Sequence, residues 1–306
     1  MPRGKSGDYR DIDGILLLDK PPGQSSNQAL QRVRGLYRAR KAGHCGSLDP
    51  LATGLLPVCL GQATRFSSYL LGASKTYRAG CRLGRTTTTG DAEGEIVDDL
   101  PVAVDADQVA RVLAGFVGSG EQVPPMYSAL KHQGRRLYEL AREGRQVERE
   151  ARRIEIHRLE LLNFELPRIE FEVHCSKGTY IRTLAEDIGH ALGCGAHLDA
   201  LRRTAVDTLE LEDSVDMTRL ELLAVSGTEA LDELLLPTSA ALERYPELEL
   251  AADSARDIRH GKRLPATRGE APGLYRLVSA ESGFIGLGEV SVSGELAAKR
   301  LMNTAG

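Results

Sequence analysis

The sequence predicts an α+β protein in which helices pack against strands, with a small β-barrel-like unit at the C-terminal end. Three observations lead there. SKTYRAGCRLG (74–84), RRIEIHRLELLNFEL (152–166) and IEFEVHCSKG (169–178) alternate apolar and polar residues, the period of a strand with one buried face. NQALQRVRGLYRARK (27–41), VDADQVARVLAGFVG (104–118) and TYIRTLAEDIGHALG (179–193) carry apolar residues at helical spacing. Residues 246–306 break into the short strand-like pieces GLYRLVSA, GFIGLGEVSVSG and ELAAKRLM between glycine-rich turns, the pattern of a small separate β unit.

Taken in order, GILLLDKPPGQSS (14–26) is a short buried strand, a Pro-Gly turn and a serine cap. In the helix that follows, Leu30, Val33, Leu36 and Tyr37 form one stripe, and the arginines lie mostly off it. Tyr77, Ala79, Cys81 and Leu83 share one face of the 74–84 strand, with Arg78 and Arg82 on the other. RTTTTGDAEGE (85–95) is polar and turn-rich and predicts a loop. PPMYSALKHQGRRLYELAREGRQVERE (124–150) mixes a Pro-Pro start with basic and tyrosine residues, which predicts a loop with helical turns projecting from the domain. In the 179–193 helix, Ile181, Leu184, Ala185, Ile188 and Leu192 face one way and Gly193 ends it. The character of the chain shifts near Leu235–Pro246, and no repeat or heptad run appears.

The chain has 306 residues, enough for a main domain plus a small one. No apolar run approaches the roughly 18 residues of a membrane span, and the polar stretch MPRGKSGDYRDIDG ahead of GILLL reads as lacking a secretory leader. Five cysteines without a CxxC pair fit a reducing, cytoplasmic setting, as small buried apolar residues rather than disulfide or zinc ligands. Net charge is −4, yet residues 1–90 hold 14 Lys and Arg against 5 Asp and Glu. A basic third on an acidic protein suits either a solvated surface or a face that attracts a phosphate backbone. The chain lacks GxxxxGK[ST], GxSxG, HExxH and a strand–GxGxxG–helix unit, so nothing in it calls for a nucleotide, metal or organic cofactor.

GHCGSLDPLATGLLPV (43–58) crowds three glycines and two prolines around one acid, Asp49. Asp followed by Pro and LATGLL is a helix start, with Asp49 as cap. It is equally a loop that aims a carboxylate away from the backbone, because the residue before proline is pushed out of helical geometry. A working Asp49 must stay ionised in a partly dry pocket, which needs a fixed cation. Arg182 is the candidate, since a planar guanidinium binds carboxylate and does not deprotonate; the alternative is an exposed Arg182–Glu186 pair one helical turn apart. Tyr77 and Tyr180 either stack on a base or pack in the core. His44 is a cap or turn residue and, lacking partners, a poor metal ligand. Lys20 is either solvated or placed to hold a phosphate.

As an ordered set, KPPGQSS (20–26), GHCGSLDPLATGLLPVCLGQATRF (43–66), SKTYRAGCRLGRTTTTGDAEGE (74–95), PPMYSALKHQGRRLYELAREG (124–144) and CSKGTYIRTLAEDIG (175–189) resemble the TruB-type tRNA pseudouridine synthases, which isomerise uridine 55 in the T arm. The resemblance spans about residues 12–240 and continues loosely through HGKRLP and GFIGLGEV. It implies a pseudouridine synthase fold, with a mixed, largely antiparallel central sheet flanked by helices. The catalytic domain would cover residues 1–245 and a small PUA-like RNA-binding domain residues 246–306. It further implies Asp49 as nucleophile, Tyr77 stacked on the target uracil and Arg182 paired with the aspartate. Tyr180 and Leu201 would line the pocket, His44 would fill the gap left by the displaced nucleotide, and Lys20 would hold the pocket or its substrate. Residues 124–152 would grip the T loop, with Lys131 near the RNA. The implied enzyme is a cytoplasmic, cofactor-free monomer acting on tRNA, with no metal, membrane or obligate protein partner. Attack on the sugar, attack on the base and removal of a sugar proton are all open to one carboxylate. Two other readings are a tRNA-folding chaperone in which Asp49 is only a cap, and a glycosidase, although glycosidases normally need two facing acids.

Overall fold

The computed structural model describes residues 9–266 and 269–303; residues 1–8 of the polar N-terminal stretch lie outside the described residues. Ten strands form the main sheet: β1 (Gly14–Lys20), β2 (Ala42–His44), β3 (Thr53–Leu60), β4 (Lys75–Leu83), β5 (Gly118–Gln122), β6 (Arg152–Glu165), β7 (Arg168–Cys175), β8 (Ala196–Val206), β9 (Leu209–Glu210) and β10 (Val215–Asp216). Their order is β10-β1-β3-β8-β4-β7-β6-β5, with β2 beside β3 and β9 beside β8. Only β10–β1 and β8–β3 run parallel, so the sheet is mixed and largely antiparallel. The β3–β8 contact depends on Gly54 (φ +97°), where a Cβ would lie 2.3 Å from the Arg203 carbonyl oxygen.

Among the described residues, the α-helices of six residues or more are α1 (Ser26–Leu36), α2 (Ala106–Gly115), α3 (Leu137–Arg142), α4 (Ile181–Ala191), α5 (Met217–Val225) and α6 (Ala252–Arg259). The expected cap is present: the Ser25 hydroxyl accepts from the Gln28 N–H, and Gln28 Oε1 accepts from the Ser25 N–H. Asp105 and Gln108 build the same box ahead of α2. Helix α4 buries Ile181, Leu184, Ala185 and Ile188 in one core with Tyr77, Ala79 and Cys81 of β4 and Phe171 and Val173 of β7. Burial of each Leu or Ile there contributes roughly 1.5–3 kcal/mol, so the helix seats firmly and carries Arg182 with it. The five cysteines are all buried and free. No helix among the described residues is long and apolar enough to cross a membrane.

Strands β11 (Glu247–Glu249), β12 (Leu264–Pro265), β13 (Gly273–Ser279), β14 (Gly283–Val290) and β15 (Glu295–Leu301) form a second sheet, ordered β11-β13-β14-β15-β12. It has its own core with α6, around Ile258, Leu277 and Ile285. Leu287 and Phe284 also pack with Phe66 and Leu70 of the first unit, and Arg65 Nε donates to the Leu301 carbonyl at 3.0 Å.

Two local expectations differ from the structure. Residues 50–55 are not helical: a turn closes from the Ala52 N–H to the Asp49 carbonyl at 3.0 Å, and β3 begins at Thr53. Pairing of residues 53–60 with β1 outweighs the local Asp-Pro helix signal, and Asp49 caps nothing. The polar stretch 85–95 is not wholly loop, since Arg85–Thr87 pairs with Ile96–Asp99 as a small hairpin.

Candidate active site

Asp49 lies in the loop between β2 and β3, and the loop is tied on every side. The Ser26 hydroxyl donates to the Leu48 carbonyl (3.0 Å) and accepts from the Leu48 N–H (2.7 Å). The Gly23 N–H donates to the Pro50 carbonyl at 2.9 Å. Arg203, fully buried, donates from Nη2 to the Gly46 carbonyl (3.1 Å) and from Nε to the Leu55 carbonyl (2.7 Å). Gly46 sits at φ +113°, and a Cβ there would lie 3.3 Å from Arg203 Nη1. The loop holds its shape through these bonds, while the Asp49 side chain stays 45% exposed.

Arg182 meets that carboxylate. Its Nε lies 3.0 Å from Asp49 Oδ2 and its Nη1 3.5 Å from Asp91 Oδ2. Nη1 also donates to the Thr89 carbonyl (3.0 Å) and Nη2 to the Tyr127 carbonyl (2.6 Å). The Arg182 side chain is 6% exposed and Asp91 5%, so the exposed Arg182–Glu186 pair does not form. Reach explains this: from the first turn of α4 the guanidinium passes inward, where carboxylates and carbonyls already wait. Asp91 was invisible as a partner because it stands in a polar turn. There its Oδ1 accepts from the Thr89 hydroxyl (2.5 Å) and the Glu93 N–H (3.1 Å).

Burial pushes the Asp49 carboxyl above the usual aspartate range; Arg182 opposes the shift and Asp91 adds to it. The site thus balances desolvation and a second anion against one guanidinium. His44 is held below its ordinary value by burial and then by Arg203, and its buried Nδ1 has no partner. Burial lowers Lys20 to about 8, with Asp49 opposing.

A cavity of about 760 Å³ opens above the pair. Asp49, Arg182, His44 and Lys131 line it, together with Ser26, Asp91, Tyr127, Arg136, Tyr138 and Arg142. Tyr77, Tyr180, Lys20 and Leu201 stand outside this lining. Tyr77 is buried in the core beside Leu48 and Ala52, with Leu201 packed against the same cluster. Burial raises its hydroxyl, and Arg203 opposes. Tyr180 precedes α4 and faces Ser128. Lys20 is fully buried, and its ammonium donates to the carbonyls of Pro21 (2.8 Å) and Gln24 (2.7 Å). It therefore braces the turn before α1 rather than reaching solvent. Ser26, Arg203 and Asp91 are the residues sequence reasoning missed: Ser26 and Asp91 stand inside quoted blocks, but neither spacing nor periodicity names their partners.

Residues 124–150 fold as a hairpin of Lys131–His132 with Arg135–Arg136 followed by α3. Tyr138 has the Arg136 guanidinium 5.8 Å and the Arg142 guanidinium 5.6 Å from its ring centroid. Basic and aromatic groups of this arm thus face the cavity that holds Asp49.

Comparison with known proteins places this geometry. Residues 34–181 match the TruB family pseudouridylate synthase N-terminal domain, 182–243 the tRNA pseudouridylate synthase B C-terminal domain, and 246–302 the C-terminal domain of pseudouridine synthase II TruB. The chain is 54% identical over 294 residues to tRNA pseudouridine synthase B of Nitrosococcus oceani, covering 96% of each. It is 53% identical over 298 residues to the protein of that name from Pseudomonas aeruginosa, covering 96% of this chain and 97% of the relative. Among solved structures, a chain of a Cbf5-Nop10-Gar1 complex superposes with a TM-score of 0.71 at 26% identity, covering 95% of this chain and 84% of that one. A chain of an H/ACA RNP bound to a substrate RNA containing 2'-deoxyuridine gives 0.69 at 25% identity, covering 96% and 82%. The match along nearly the whole length, on a sheet and cleft of this form, establishes that the chain belongs to the TruB family of pseudouridylate synthases and is an enzyme of that kind.

Proposed function

We propose that the protein isomerises uridine to pseudouridine at position 55 in the T arm of tRNA, with Asp49 as the catalytic group. The observation that carries this reading is the Asp49–Arg182 pair at 3.0 Å on the floor of a cavity walled by a basic arm. The reaction breaks the N1–C1′ and C5–H bonds and forms C5–C1′ and N1–H, the C5 hydrogen leaving as a proton and N1 taking one up, so composition is conserved and no electrons enter or leave. The chain needs to supply an ionised carboxylate, a dry pocket and a grip on RNA. Arg182 keeps Asp49 ionised against its desolvation. The target base leaves the loop stack at a cost of a few kcal/mol, and stacking on a tyrosine returns roughly 1–3 kcal/mol; in this reading that tyrosine is Tyr77, whose ring, buried in the free protein, has to be uncovered as the base enters. His44, neutral through burial, fills the space the nucleotide leaves; Tyr180 and Leu201 support the pocket from behind its lining, and Lys20 braces the turn before α1, whose Ser25 and Ser26 line it. The arm, with Lys131 and Arg136, holds the phosphate backbone. Residues 1–245 act as the catalytic domain and 246–306 as a PUA-like RNA-binding domain, a division supported by the separate core of the second sheet. The protein works as a cytoplasmic monomer, without cofactor.

Incubation with an unmodified T-arm stem-loop, followed by mapping of pseudouridine, tests the reading directly. Modification at position 55 is expected. RNA bound and refolded but left unmodified would favour the chaperone reading.

The acid side of the rate profile follows from the raised carboxyl. Catalysis needs the ionised form, so the rate is lost as pH falls through the folded-state pKa of Asp49. That midpoint should lie above the ordinary aspartate value of about 3.9. Single-turnover rates across pH measure it, and a midpoint at or below the ordinary value would contradict the desolvated site. The sign for stability is the reverse. A carboxyl that protonates more readily when folded makes its charge a cost above the folded pKa, and Asn at position 49 removes that cost.

RNA affinity should fall steeply with salt. Lys131→Ala and Arg136→Ala are each expected to weaken binding and to reduce the salt slope by about 1. Unchanged slopes in titrations across salt would remove the arm from the phosphate contacts.

A further inference from the structure

We infer that Gln122 is a positioning residue for the catalytic arginine, locking the root of the RNA-gripping arm to the first turn of α4. Gln122 ends β5, two residues before the arm, and is 4% exposed. Its side-chain amide grips a single residue twice: Nε2 donates to the Tyr180 carbonyl (3.1 Å), and Oε1 accepts from the Tyr180 N–H (2.8 Å). Tyr180 stands at the N-cap of α4, with no side-chain cap of its own. Its carbonyl also accepts the first helical bond, from the Leu184 N–H at 3.0 Å. Two residues further on, Arg182 reaches back to the same arm and donates to the Tyr127 carbonyl. The segments 122–127 and 180–182 are thus joined by a reciprocal pair of ties, each a side chain from one holding the backbone of the other. With both in place, the direction of Arg182 toward Asp49 and the seat of the arm are one variable. A primary amide both donates to and accepts from the backbone of one residue at any pH, without having to be protonated first. An apolar residue would leave the part-buried Tyr180 N–H without its partner.

The proposal rests on Asp49 and Arg182 being the catalytic pair, and its test separates the two claims. Enzyme in excess is mixed with an unmodified T-arm stem-loop tritiated at uracil C5, and tritium release is followed in one turnover. RNA Kd and thermal unfolding are measured on the same preparations. Gln122→Met should slow release about 100-fold, the scale of a displacement near 1 Å at a reacting group, with Kd within about threefold of the parent. A rate per folded molecule equal to the parent, or a loss confined to Kd, would overturn the proposal. Gln122→Glu supplies a readout that a merely structural role would not move. Its neutral carboxyl can donate and accept as the amide does, whereas its ionised form only accepts. The rate of Gln122→Glu divided by that of the parent at the same pH should therefore rise as pH falls. A ratio that is flat, or that rises with pH, sinks the idea even if Gln122→Met fails to fold. Asp49→Asn run alongside tells the failures apart. If it is active, the catalytic reading falls; if it is inactive and Gln122→Met is not slowed, only the positioning role does.

Discussion

Asp49→Asn is expected to abolish pseudouridine formation while the fold and RNA binding persist. The loss should reach on the order of 10^4-fold, the scale on which removal of one essential catalytic group acts. Asn keeps the volume and some of the hydrogen bonding of Asp49 but supplies neither negative charge nor nucleophile. Folding should tolerate the change for three reasons visible in the loop. The backbone around residue 49 is held by Ser26, Gly23 and Arg203 rather than by the carboxylate. The side chain caps no helix. Its charge is disfavoured by burial. Arg182 would still face Asp91, so no guanidinium is left stranded. Tritium release and an RNA-binding titration on the same variant decide it. Substantial residual turnover would remove Asp49 from the chemistry, and loss of folding would return it to a structural role.

Substitution at Arg182 should do more, because it strikes catalysis and stability together. Arg182→Lys is expected to lower the single-turnover rate by about 100-fold or more, with RNA affinity little changed. An ammonium is a point donor and cannot reach Asp49, Asp91 and the Thr89 and Tyr127 carbonyls at once. Arg182→Met goes further and leaves Asp91 as a buried, uncompensated carboxylate, which should cost about 3–5 kcal/mol of stability. Urea unfolding of the parent and both variants checks the second claim, and the rate and affinity measurements check the first. A normal rate for Arg182→Lys would end the pairing argument. An unchanged unfolding midpoint for Arg182→Met would show that Asp91 does not depend on this partner.

Much of the local structure was legible because it depends on neighbours along the chain. The serine cap ahead of α1, the apolar stripe of α4 and the shared face of Tyr77, Ala79 and Cys81 in β4 follow from local residue types and spacing. The Asp-Pro signal at 49–50 misled for the same reason: it is a local preference, and pairing of 53–60 with β1 overrode it. Asp91 was hidden because a turn aspartate carries no pattern that names its partner. Lys20 was ambiguous because a lysine between a strand and a turn reads as solvated until packing buries it. Gln122, Ser26 and Arg203 are unremarkable letters in the chain, and each gains its role only through a backbone group far away in sequence.

By itself the sequence determined many, though not all, of the strands and helices, that a small β unit follows the main domain, and which ordered blocks tie the chain to a family of RNA-modifying enzymes. These rest on periodicity, capping and short motifs, whose energies are decided within a few residues. The tertiary structure alone decided that Arg182 serves two carboxylates, that Asp49 keeps an exposed face above a tied loop, and that the arm and α4 share their anchors. Such relations arise from sheet register and through-space reach, where ion pairs and buried hydrogen bonds depend on three-dimensional distance and desolvation, and neither quantity is written along the chain.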